Sequence, residues 1–194
     1  MTFIRTSDRY ITFLTILCVL GSTWACCVFL LSRVSAQTES NTQNHELTWL
    51  IVRHADRDGS NDGLTTAGHE RAKQLATLAK TLRVSAVYST DLRRTRDTAQ
   101  PTADTNQLTV QTYQQPTSEW LNEVRKANPA GVVLIVAHSN TVGVIVSELT
   151  GTEPFEIAHD QFDLLYVVKE KNETVTSVQL SYGVSSATKD SKTH

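Results

Sequence analysis

The 194-residue chain alternates short apolar runs with amphipathic stretches, and that order predicts most of its elements. Leu47–Arg53 and Val132–Ala137 are rich in Leu, Ile and Val, the pattern of strands buried on both faces of a parallel sheet. A run at 84–88 and an alternating one at 108–112 read as further strands. Between them the apolar positions recur at helical spacing. Ala72, Leu75, Ala76, Leu78, Ala79 and Leu82 mark the inner side of a helix that Thr65 or Thr66 can cap. Asp91 is placed to cap a second helix, which Pro101 should end or kink. Pro116 can begin a third, from Thr117 to about Ala127, and Asn128–Gly131 is a turn. A fourth is expected from about Thr141 to Leu149, with Gly151 in the left-handed closing position. Leu164–Val168 and Thr174–Leu180 read as a hairpin joined by residues 169–173. Alternating strands and helices predict a three-layer α/β/α domain over residues 47–183, with a mostly parallel central sheet.

The two ends fall outside this pattern. Arg5 and Arg9 precede an apolar stretch from Tyr10 to Leu31, and Val34-Ser35-Ala36 fits a small-x-small cleavage site. Residues 1–36 therefore read as a secretory signal. The stretch also reaches the ~20 residues needed to span a bilayer, so a retained membrane anchor through residues 10–31 is the alternative. Both readings export the folded domain, to the periplasm or medium or to the outer side of a membrane. The three cysteines, Cys18, Cys26 and Cys27, all lie in that stretch, which leaves the rest indifferent to an oxidising compartment. Residues 37–46 read as a polar linker and 184–194 as a disordered tail.

The formal net charge of −2 carries no nucleic-acid footprint. Without Arg5, Arg9, Arg33 and Asp8 the remainder is more acidic still. Its positive charge gathers at Arg53, Arg57 and the cluster Arg93, Arg94 and Arg96, which suits a small phosphorylated substrate better than a polyanion. In open α/β sheets, ligands bind where the carboxyl ends of strands meet loops. Arg53-His54 closes one apolar run and His138-Ser139-Asn140 closes another. A lone histidine at a strand end is ordinarily a satisfied polar residue, but two that can share one crevice, one behind an arginine, suggest a nucleophile and an anion clamp. That chemistry is phosphoryl transfer through a phosphohistidine. The arginine cluster opens a helix just after a strand, where backbone N–H groups and guanidinium forks can hold an anion together. His45, His69 and His159 carry no such signal. The aspartates of loop 56–63 lack the closing glutamate of a calcium loop, and the histidines lack zinc spacing.

Taken in order, these segments resemble the histidine phosphatase superfamily, the group that includes phosphoglycerate mutase and many phosphatases. Arg53-His54-Ala55 is similar to its Arg-His-Gly signature, with Ala in third place. Leu64 through Ala72 resembles a Leu-Thr-x-x-Gly-x-x-Gln/Arg-Ala segment, and Ser89 through Ala99 a Ser-x-x-Leu-x-Arg-x-x-x-Thr-Ala element with Arg94 at its arginine. Val136 through Thr141 resembles the second-histidine segment of small, single-domain members. The resemblance covers roughly residues 47–183 and implies a phosphoglycerate mutase-like fold. It also implies roles: His54 as nucleophile, Arg53 and Arg94 gripping phosphate oxygens, a protonated His138 as a third cationic donor, and Asn140 beside them on the substrate. No metal or other cofactor is implied.

The expected activity is a metal-independent phosphatase acting on a phosphomonoester or a phosphohistidine. A catalytically inactive phosphate-binding module and a phosphomutase are the alternatives, although no residues specify the second substrate site a mutase needs. The proton donor to the leaving group has no clear motif, and Glu119, Glu123 and Asp56 are its candidates. If none of them acts, good leaving groups are favoured over alkyl phosphates. Substrate specificity is expected in loops 55–63, 112–120 and 151–162.

Overall fold

The computed structural model describes residues 46–57, 59 and 62–186. All belong to the second of two units into which the chain divides, Asn44–His194. The signal or anchor read in residues 1–36 lies outside the described residues, as does most of the 37–46 linker. Among the described residues, no helix is long and apolar enough to cross a membrane.

Among the described residues, six strands form one sheet: β1 (Glu46–Arg53), β2 (Ala86–Thr90), β3 (Val110–Tyr113), β4 (Gly131–Ala137), β5 (Leu164–Lys171) and β6 (Thr174–Ser181), in the order β3-β2-β4-β1-β5-β6. The first four in that order are parallel, and the β5–β6 hairpin adds an antiparallel edge. Four helices connect them: α1 (Thr66–Thr81), α2 (Arg93–Asn106), α3 (Ser118–Ala127) and α4 (Ser139–Thr150).

The period of two along β1 and β4 builds the three layers. Trp49, Ile51, Val133 and Ile135 point to the side where Leu121 and Val124 of α3 and Val142, Ile145 and Leu149 of α4 complete one core. Leu50, Val52, Leu134 and Val136 point the other way, onto Leu75 and Ala79 of α1 and Ala99 and Ala103 of α2. Both strands are buried on both faces, hence their unbroken apolar runs.

The expected three-layer arrangement is present, with local differences. Asp91 does not cap α2: its carboxylate pairs with Arg96, and Leu92 stands at the cap without a side-chain bond. Pro101 does not end α2, which runs on to Asn106 with Thr102 and Ala103 packed in the core. Helix α4 starts at Ser139 rather than Thr141, so His138 is its capping residue. The hairpin turn is only Asn172-Glu173, with Asn172 at a φ of 55°, instead of the five-residue loop expected. Val184–Ser186, expected in a disordered tail, return to the domain, where Ser186 Oγ accepts from the Phe162 N–H at 3.0 Å.

Candidate active site

Strands β1 and β4 lie side by side and parallel, with Arg53 opposite Ala137. The His54 N–H continues the ladder to the Ala137 carbonyl at 2.9 Å. The residues just past the two strand ends therefore sit together. The His54 and His138 rings meet edge to face, 5.7 Å between centres.

His54 is 3% exposed, and its Nδ1 lies 2.9 Å from the Ala55 carbonyl. A carbonyl only accepts, so Nδ1 carries the ring proton and Nε2 keeps its lone pair. Burial foremost, and then the charges of Arg53 and Arg94, pull the imidazole down to about 3, while the Ala55 contact works the other way. The loop beyond is pinned by Thr98: its Oγ1 accepts from the Ala55 N–H at 2.9 Å and donates to the Arg94 carbonyl at 2.7 Å.

Arg53 is held by the loop after α4. Its Nη1 donates among the carbonyls of Ala158, His159 and Gln161 at 3.0, 2.9 and 3.1 Å, and its guanidinium carbon stands 4.1 Å from the centre of the Phe162 ring. That loop packs tightly on α4 at Gly143, where a Cβ would come within 1.8 Å of the Phe155 carbonyl. Burial and nearby Arg57 lower Arg53 to about 10, which leaves it cationic near neutrality. Its Nε is buried without a partner. With Nη1 engaged, the Nε–Nη2 edge is the one left to grip an anion.

Arg94 is the member of the cluster whose charge bears on both His54 and His138. Its Nη1 pairs with the Asp62 carboxylate, and its Nε is buried without a partner. The other Asp62 oxygen accepts from the Arg93 N–H at 3.0 Å and so caps α2 from outside. Arg93 and Arg96 turn instead to Asp97 and Asp91.

His138 differs from the expectation of a cation. Burial, Arg94 and Arg53 all oppose its protonation and lower it to about 4, so by itself it is neutral at pH 7. A phosphate dianion beside it would act in the opposite sense. Its Nε2 lies 2.9 Å from Thr90 Oγ1, and Thr141 Oγ1 accepts from its backbone N–H at 3.0 Å. Asn140, exposed in the first turn of α4, lines the same cavity as His138, a space of about 890 Å³.

The proton-donor candidates separate. Asp56 is buried against Arg71, Oδ2 to Nε at 2.6 Å, and Arg71 also donates to the Tyr182 carbonyl at 3.0 Å. A carboxylate turned onto a buried guanidinium is not placed to protonate a leaving group. Glu123 is exposed on α3 and does not line the cavity; Glu119 does. Glu119 is held below the ordinary carboxylate range by its own backbone N–H and by Thr117.

Several contacts had no signal in the chain. The three carbonyls on Arg53 come from an irregular loop, and the Phe162 ring follows from no motif. Thr90 lay past the expected end of its strand. Asp62 could have been suspected only as a turn former.

A family model described as "Histidine phosphatase superfamily (branch 1)" matches residues 37–115, a stretch that holds Arg53, His54 and Arg94 and stops short of His138. No curated protein matches the chain. Among solved structures, one of the protein histidine phosphatase SixA complexed with tungstate is 22% identical, with a TM-score of 0.56 over 69% of this chain and 96% of that one. A mycobacterial glucosyl-3-phosphoglycerate phosphatase complexed with VO3 is 14% identical, with a TM-score of 0.54 over 71% and 99%. Phosphoglycerate mutase from Bacillus anthracis str. Sterne is 12% identical, with a TM-score of 0.56 over 71% and 93%. These likenesses concern the fold, and the family match adds that residues 37–115, with Arg53, His54 and Arg94, are similar to branch 1 of the histidine phosphatase superfamily.

Proposed function

We propose that this protein is a metal-independent phosphatase that works through a phosphohistidine on His54. The observation that carries the proposal is the His54 tautomer: Nδ1–H faces the Ala55 carbonyl, so the lone pair is on Nε2, on a ring held neutral beside two guanidinium groups. Nε2 attacks phosphorus, the P–N bond forms, and the leaving oxygen departs with the P–O electron pair. The ring then carries positive charge, which the Ala55 carbonyl and the phosphoryl oxygens stabilise. Arg53 and Arg94 neutralise charge spread over those oxygens, and His138 and Asn140 flank them. Water attacks the phosphohistidine, releases phosphate and returns the lone pair to Nε2. A substrate with a small phosphorylated group fits this crevice, whether a phosphomonoester or a phosphohistidine.

Residues 37–194 should release phosphate from p-nitrophenyl phosphate in the presence of EDTA, and His54→Ala should lower that rate by at least about 10³-fold, as loss of a nucleophile does. Unchanged turnover in His54→Ala would refute the mechanism. The same fold without turnover would be a phosphate-binding module, and tight vanadate binding with no hydrolysis is its signature.

A further inference from the structure

The cavity beside His138 and Asn140 is where the leaving part of a substrate would sit, and its lining has a definite charge. Glu119, Glu148 and Asp91 bring carboxylates to it, Gln114, Gln115 and Asn140 bring amides, and among the described residues no lysine or arginine lines it. Asp91 is answered by Arg96, and Glu148 by one hydroxyl, the Ser118 Oγ–H at 2.7 Å. The cations lie at the other end, where Arg53 and Arg94 bear on the two histidines. A bound molecule thus meets positive charge at its phosphate and negative charge at its far end. About 890 Å³ is within the range of small-molecule sites.

A second observation concerns the proton. In the ligand-free protein neither histidine holds a spare proton near neutrality, Glu119 is held below the ordinary carboxylate range, and Asp56 is engaged by Arg71. An alkoxide leaving group must take a proton, either from a His138 that the bound phosphate has charged or from the substrate itself. An ammonium group close to the leaving oxygen supplies it, and the amino alcohol departs neutral once that proton has moved to oxygen.

Resting on the phosphatase reading, we infer that the substrates are phosphate esters of small amino alcohols, with the ammonium group received by the Glu119 and Glu148 end of the cavity. Anionic leaving groups, such as those bearing a carboxylate or a second phosphate, are excluded by the same carboxylates.

The test compares kcat/KM of the soluble 37–194 protein for phosphoethanolamine, glycerol 3-phosphate and 3-phosphoglycerate, with p-nitrophenyl phosphate as reference. Phosphoethanolamine should exceed glycerol 3-phosphate by at least about 10-fold, equivalent to ~1.4 kcal/mol, with 3-phosphoglycerate poorest. In Glu119→Gln and in Glu119→Gln/Glu148→Gln the ratio of the first two should fall toward one. Hydrolysis of p-nitrophenyl phosphate with a flat or reversed order, or an order unmoved by the double variant, overturns the inference and leaves the phosphatase standing. No hydrolysis of any ester removes both.

Discussion

Which nitrogen of His54 holds the ring proton decides whether the side chain can attack, and one carbonyl makes that choice. The same burial that protects the lone pair alters how the protein responds to acid. With His54 lowered to about 3 and His138 to about 4, neither ring titrates between pH 5 and 8 in the ligand-free protein, and their imidazole NMR signals should stay fixed there. Orthovanadate should move the His138 titration upward, because an anion favours the imidazolium. A His54 signal titrating near pH 6.5 without ligand would contradict this. The sign for stability follows. In the unfolded chain both rings take up protons below about pH 6.5, whereas the folded rings do not until about pH 3 to 4. Their contribution is complete above pH 6.5 and is lost as pH falls through that window. The urea midpoint should therefore drop from pH 7.5 to 5, and drop less in His54→Asn/His138→Asn. Thr98 acts on the same loop: Thr98→Val leaves the buried Ala55 N–H unpaired, at a cost of about 1–3 kcal/mol in the same assay.

The element that brings Arg94 to the site depends on a residue outside it. Asp62 caps α2 and holds the Arg94 guanidinium, so Asp62→Ala should lower the urea midpoint while releasing that side chain to an anion. Vanadate should then bind the variant more tightly; weaker binding would mean that Asp62 orients Arg94 rather than competes for it. This pairing also shows where the sequence stops being legible. The apolar runs of β1 and β4 were readable because strands buried on both faces leave no other solution, and His54 and His138 were readable because the runs end there. Parallel register then places the rings together. Gly68 belonged to a motif whose reason is visible only in three dimensions: a Cβ there would lie 2.1 Å from the Asp56 carbonyl, which accepts from the Thr65 N–H. The α2 cap misled because Asp91 has the right residue type in the right place, yet a carboxylate distant in sequence performs the task. His138 hid the start of α4 because histidine is not among the favoured caps. The Arg53 carbonyls were unreadable in principle, since any residue can offer a backbone oxygen.

At the scale of the molecule, a buried ion pair ties the active-site loop to the domain. Asp56 follows His54 by two residues, and its partner Arg71 reaches on to the chain beyond β6. Arg71→Met would remove the guanidinium from a buried ion pair, and about 3–5 kcal/mol should be lost in urea denaturation with activity falling in parallel. Little change would mean that Asp56 finds another partner. The N-terminal 36 residues lie outside this domain, and we propose that they export it. Arg5 and Arg9 should stay in the cytoplasm, so protease added to spheroplasts should digest the domain, and full protection under conditions that cleave a known exported protein would refute export. The proposed chemistry reduces to one covalent bond, between phosphorus and His54. Rapid mixing with a phosphorylated substrate, followed by quenching without acid and peptide mass spectrometry, should find phosphate on His54 and none in His54→Ala. Steady turnover with no phosphate on His54, or with phosphate on His138 instead, would contradict the account.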